Sequence, residues 1–142
     1  MTPPTIVDAG PLVAYFVRRE RHHDWARAHF GGLRKAALTC EPVVTEACFL
    51  LRRHLPGADL ELLELVSRGR LLLAFDLGVE AAPVAALMDR YANVPMSLAD
   101  ACLVRMAEMH EGCSILTLDG DFRIYRKTGG KPLDAILPDA RR

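Results

Sequence analysis

The sequence predicts an α/β protein, a three-layer α/β/α arrangement around a mostly parallel sheet of four or five strands, in one domain over residues 1–142. Three observations predict it. Strand and helix signals alternate from end to end, the pattern of helices packed on both sides of a parallel sheet. The strand-length runs are apolar throughout rather than alternating, as strands buried on both faces are. The chain has 142 residues, 51% hydrophobic and 25% charged, enough to enclose one substantial core.

The elements follow in order. Thr5 to Asp8 is a short apolar strand after a Pro-Pro lead. Pro11 to Val17 reads as a short helix, since proline is tolerated in a first turn. His22 to Lys35 is a weaker helical stretch, with Gly31-Gly32 as a stop or break near its end. Ala37 to Thr39 is a candidate second strand. Pro42 opens a helix that runs to about His54, where Pro56-Gly57 ends it. Asp59 to Arg68 has apolar residues at helical spacing, and Leu71 to Phe75 is a strand-length apolar run. Glu80 to Tyr91 is a helix with Pro83 near its first turn. Leu98 to Glu111 is a strong helix with a broad apolar face, stopped by Gly112. Ser114 to Leu118 is a strand, Phe122 to Arg126 a helical turn, and Leu133 to Leu137 a last short strand.

Basic and acidic residues number 18 each, so the formal net charge is zero, which weakens a nucleic-acid reading without excluding it. Asp8, Glu46, Asp100 and Asp119 stand apart from the other acids, and setting them aside leaves 18 basic residues against 14 acidic. Cys40, Cys48, Cys102 and Cys113 form no Cys-x-x-Cys pair and match no zinc spacing, so they read as reduced structural residues. No basic region followed by an apolar segment marks the N-terminus, and no apolar run approaches a membrane span. The expected compartment is a reducing cytoplasm, with no membrane partner.

Each of those four acids sits beside core-forming residues. Asp8 follows Thr5-Ile6-Val7, Glu46 lies within Pro42 to Leu51, Asp100 opens the helix after Ser97-Leu98-Ala99, and Asp119 follows Ile115-Leu116-Thr117-Leu118. Carboxylates there are costly to desolvate without a compensator, and a divalent cation is the natural shared one. Ligands in parallel sheets bind beyond the carboxyl ends of the strands, where Asp8 and Asp119 fall. Local alternatives stand beside this reading. Asp8 suits a turn or a helix cap. Ser97-x-x-Asp100 resembles a capping box. Asp119 suits an Asx turn with Gly120, Asp121 suits a cap on the turn that follows, and Glu46 suits a solvated outer face near a helix N-terminus.

The ordered set resembles the PIN-domain nucleases, and more narrowly the VapC-type toxins of prokaryotic toxin–antitoxin pairs. The matching stretches are Ile6-Val7-Asp8-Ala9-Gly10-Pro11-Leu12-Val13-Ala14, Pro42-Val43-Val44-Thr45-Glu46, Tyr91 through Ala101, and Ile115 through Phe122. One departure is Gly10, where the family often carries a hydroxyl residue. The resemblance implies a parallel sheet flanked by helices and an acidic quartet, Asp8, Glu46, Asp100 and Asp119, that holds Mg²⁺ or Mn²⁺. It implies that Thr117 lines the pocket and that Asp121 adds a further acid, with Ser97 at the same pocket. It also implies an RNA substrate, a cognate antitoxin that blocks the acidic cleft, and homodimerisation through helices.

Such a site suits phosphodiester hydrolysis. Mg²⁺ relieves charge on phosphate oxygens and positions or acidifies a water, and it takes hard oxygen ligands in preference to Cys or His. The expected division has Asp8 and Asp100 as direct ligands, Asp119 completing the site or bridging through water, and Glu46 orienting or deprotonating the attacking water. Whether Glu46 is base or ligand stays open. The five histidines offer no ligand set. Candidate RNA-binding cations are Arg18, Arg19, Arg21, Arg52 and Arg53, with Arg123, Arg126 and Lys127 preferred because they follow Asp119 closely. The apolar set Leu60, Leu62, Leu63, Leu65 and Val66 reads either as a dimer contact or as an internal helix. Alternatives to a toxin are a PIN-domain ribonuclease in RNA processing and a non-cleaving module that binds RNA or protein. A phosphatase of the haloacid-dehalogenase type is disfavoured because Gly10 stands where it needs a second acid.

Overall fold

The structure, a computed structural model, describes residues 2–138. Five strands and six α-helices alternate: β1 (Thr5–Val7), α1 (Ala9–Phe16), α2 (His23–His29), β2 (Ala37–Thr39), α3 (Glu41–His54), α4 (Ala58–Ser67), β3 (Leu71–Leu73), α5 (Leu77–Arg90), α6 (Leu98–Met109), β4 (Ser114–Leu116) and β5 (Ala135–Ile136), with a 3₁₀ helix at Gly120–Arg123. The strands form one sheet in the order β3-β2-β1-β4-β5. Every pairing is parallel, with Ile6 opposite Leu38 on one side and Ile115 on the other. Helices cover the sheet in the expected three-layer α/β order.

This topology fixes where a ligand can enter. From β1 the chain steps outward to β2 and β3, then returns past β1 to lay down β4 and β5. The direction of winding therefore reverses at β1, and the crevice beyond the carboxyl ends of β1 and β4 is the switch point of the fold. Ile6, Val7, Ile115 and Leu116 are 0 to 1% exposed, so the central strands are rigid supports for whatever follows them.

Double burial fails at one edge. Leu72 and Leu73 are 44% and 38% exposed, because β3 has a neighbour on one side only and ends at Leu73 rather than Phe75. The second helix is also shorter than the predicted 22–35 stretch, closing at His29. Gly31 and Gly32 explain the stop. A Cβ on either would lie 2.4 or 2.5 Å from the carbonyl oxygen of Arg27 or Ala28, a close backbone approach only glycine permits.

Helix α5 begins three residues earlier than predicted. Asp76 is its N-cap and accepts from the Val79 N–H at 3.4 Å. Pro83 therefore falls inside the helix and not in its first turn, where it removes a donor from the helical ladder. The leucine-rich surface of α4 divides: Leu62 is fully buried, while Leu60 and Leu63 are 65% and 47% exposed. All four cysteines are free, with Cys48 half-buried and the others buried. No helix among the described residues is long and apolar enough to cross a membrane.

Candidate active site

Asp8 follows β1 directly and caps α1, its Oδ1 accepting from the Ala9 N–H at 2.7 Å. Its Oδ2 accepts from the Thr117 hydroxyl at 2.7 Å, and Thr117 Oγ1 in turn accepts from the Asp119 N–H at 3.0 Å. These bonds tie the end of β1 to the end of β4. Thr39 pins the same region from β2, its hydroxyl donating to the Val7 carbonyl at 2.8 Å. Asp8 is only 8% exposed. Burial raises its pKa to about 6, against the hydrogen bonds from Thr117 and Ala9, and repulsion from Asp100 and Glu46 adds to the rise.

Asp100 lies in the first turn of α6. Ser97 is the N-cap and accepts from the Asp100 N–H at 3.1 Å. The capping geometry and the cleft position coexist, because the cap uses the backbone of Asp100 and leaves its carboxylate free to face inward. Burial raises the Asp100 pKa, opposed by a hydrogen bond from Tyr125, with Asp119 pushing it further up. Glu46, in the second turn of α3, is exposed. Its pKa is raised by burial and then by Asp100 and Asp119. Asp119 caps the 3₁₀ helix, its Oδ1 accepting from the Asp121 N–H at 2.9 Å. The cap on that turn is thus Asp119, not Asp121.

Five carboxylates from four segments, Asp8, Glu46, Asp100 and the pair Asp119 and Asp121, line one open cleft of about 580 Å³ together with Ser97, Gly10 and Leu118. Thr117 does not line it: fully buried, it stands behind Asp8 and orients that carboxylate. Among the described residues no ion pair involves any of the five acids. Gly10 has a partner in Leu118, whose side-chain carbons lie 3.0 to 3.2 Å from where a Cβ on residue 10 would be. The space a hydroxyl residue would take is filled by Leu118, two residues beyond the end of β4.

Tyr125 was not singled out by the sequence. It is completely buried, and its hydroxyl donates to Asp100 Oδ2 at 2.8 Å. Burial and Asp100 push its own pKa far up, so it remains a donor. Tyr91 and Phe122 pack edge-on against its ring at 5.1 and 5.2 Å. The only sequence signal was an aromatic in the turn after Asp119, too common to mark a position.

The proposed RNA-binding cations lie outside the cleft lining. Arg126 is occupied: its Nη1 donates to the carbonyls of Arg123, Ile124 and Tyr125 at 2.7 to 3.3 Å. Arg123 is exposed and Lys127 half-buried.

The donor set is all oxygen, acid-rich and without a basic counterpart, which fits a hard divalent cation. It is not a closed cage, since among the described residues no three His, Cys, Asp or Glu side chains converge on one ligand position. An open arrangement of a few carboxylates is compatible with Mg²⁺, which usually keeps several of its waters.

A model of the PIN domain family matches residues 5–137. The chain therefore belongs to the PIN domain family, whose members are generally nucleases that typically use divalent metal ions. No curated protein matches the chain.

Proposed function

We propose that this protein is a Mg²⁺-dependent endoribonuclease, with Mn²⁺ as a substitute ion, and that it is the toxin of a type II toxin–antitoxin pair. The observation that carries the nuclease reading is the convergence of five carboxylates, without a paired base, at the switch point of a parallel sheet. Asp8 and Asp100 would hold the cation directly, with Asp119 completing the site or bridging through water, and the ion when bound would supply charge neutralisation at phosphate oxygens and a more acidic water. Glu46, the least constrained of the four, would orient or deprotonate that water. Thr117 and Tyr125 would hold Asp8 and Asp100 in fixed rotamers, each by one hydrogen bond. Arg123, exposed at the end of the 3₁₀ helix, is the preferred phosphate contact.

Asp8→Asn and Asp100→Asn should each abolish Mg²⁺-dependent cleavage of RNA while the protein stays folded. Full activity in either variant would refute the mechanism. The toxin assignment rests on the resemblance and on an acidic cleft open to a partner's basic side chain. It predicts that an antitoxin encoded beside this gene blocks cleavage on co-expression. Homodimerisation is supported by the exposed Leu60 and Leu63 of α4.

A further inference from the structure

The acidic cleft does not end at Glu46 and Ser97. Both residues also line a second depression of about 540 Å³, bounded by the first turns of α3, the segment between β3 and α5, and the start of α6. Its walls are apolar, formed by Phe75, Leu77 and Leu98, and Glu41 adds a carboxylate. Leu98 is 40% exposed although it is the first residue of α6. Phe75 and Leu77 are half-buried on either side of Asp76, the α5 cap. Three large apolar side chains thus face an open groove that the core does not close.

The groove is continuous with the acidic cleft through two shared residues. A phosphodiester held at the carboxylates carries its neighbouring nucleoside only a few covalent bonds away. An apolar wall with an aromatic ring, in a groove sharing Glu46 and Ser97 with the cleft, is the chemistry that holds an unstacked base. We propose that this groove is a nucleobase subsite, taking the base that flanks the scissile phosphate of single-stranded RNA against Phe75 and Leu98. The Glu41 carboxylate only accepts hydrogen bonds, so it favours bases that offer an exocyclic amino group with two N–H donors (cytosine, adenine, guanine) over uracil, which offers the single N3–H. This subsite rests on the nuclease reading for the place of the phosphate, while its own content is base binding.

The test is a set of short single-stranded RNAs differing at one base. Their binding is followed by fluorescence anisotropy with Ca²⁺ present, and their cleavage is followed with Mg²⁺. Phe75→Ala should weaken binding about 5- to 150-fold, the range for losing an aromatic stacking platform, and Leu98→Ala should weaken it in the same direction. Glu41→Gln, which introduces a donor, should keep overall affinity and lose the discrimination against uracil. Phe75 also packs on the core, so Leu98→Ala and Glu41→Gln, at exposed positions, decide the matter if Phe75→Ala misfolds. Wild-type cleavage with unchanged affinity and base preference in both variants would overturn the subsite and leave the nuclease reading standing. Base-dependent binding without cleavage would do the reverse. Unchanged RNA affinity with weakened binding of a co-purified protein partner would make the groove a protein dock and also overturn the proposal.

Discussion

Asp8 and Asp100 show how single residues set the site's properties. Asp8 has its pKa raised from 3.8 to about 6. A carboxyl group raised on folding binds more protons folded than unfolded between those values, so stability falls as pH rises through that window. The loss from Asp8 is about 3 kcal/mol, from a shift of roughly two units at 1.36 kcal/mol each. Glu46 and Asp100, raised in the same direction, add to it. In chelator, the contribution of Asp8 to thermal stability should therefore decline from about pH 4 to above pH 6, read as the difference between wild type and Asp8→Asn. A wild-type minus Asp8→Asn difference that stays flat or rises over the same window would contradict the shift. Tyr125→Phe removes the hydrogen bond that lowers the Asp100 pKa. The acid limb of the cleavage profile should move to higher pH, because the hydrogen bond that favours the ionised carboxylate is gone. A uniform loss at every pH would mean that Tyr125 acts through packing alone. Of these residues, Asp8 and Asp100 were legible because acids interrupt apolar runs. Tyr125 was not, because its role depends on a contact between elements 25 residues apart.

At the scale of elements, the order of strands and helices was readable from periodicity, and the boundaries were set by chemistry that periodicity does not carry. The second helix stops where Gly31 and Gly32 press against backbone carbonyls. Helix α5 starts at a cap, Asp76, upstream of its apolar pattern. That start places Pro83 in the helix interior, so Pro83→Ala should stabilise the protein by about 1–3 kcal/mol, the usual cost of an interior proline. An unchanged melting temperature would show that the helix already accommodates the ring. Gly10 on α1 and Leu118 beyond β4 form a coupled pair. Gly10→Ser should be better tolerated in a Leu118→Ala background than alone, measured as a double-mutant cycle of melting temperatures.

For the whole molecule, the sheet order explains why acids distant in sequence meet. Reversal at β1 brings the ends of β1 and β4 side by side, and α3 and α6 lay Glu46 and Asp100 over the same edge. Alternation of elements predicted a parallel sheet, but not which strands neighbour β1, since local patterns carry no strand order. For the same reason the apolar groove beside the cleft was invisible: Phe75 and Leu98 belong to different segments. Leu60 and Leu63 of α4 are exposed, the surface on which the proposed dimer would rest. Leu63→Glu should convert a dimer to monomer in sedimentation, and an unchanged mass would exclude that face.

The central claim is that the carboxylates act together as a divalent-cation site, and Mn²⁺ binding followed by electron paramagnetic resonance tests it most directly. Wild-type protein should bind Mn²⁺ in competition with Mg²⁺, and Asp8→Asn and Asp100→Asn should each weaken binding about tenfold or more, as losing a charged ligand does. Equal Mn²⁺ affinity in the wild type and both variants would contradict the account.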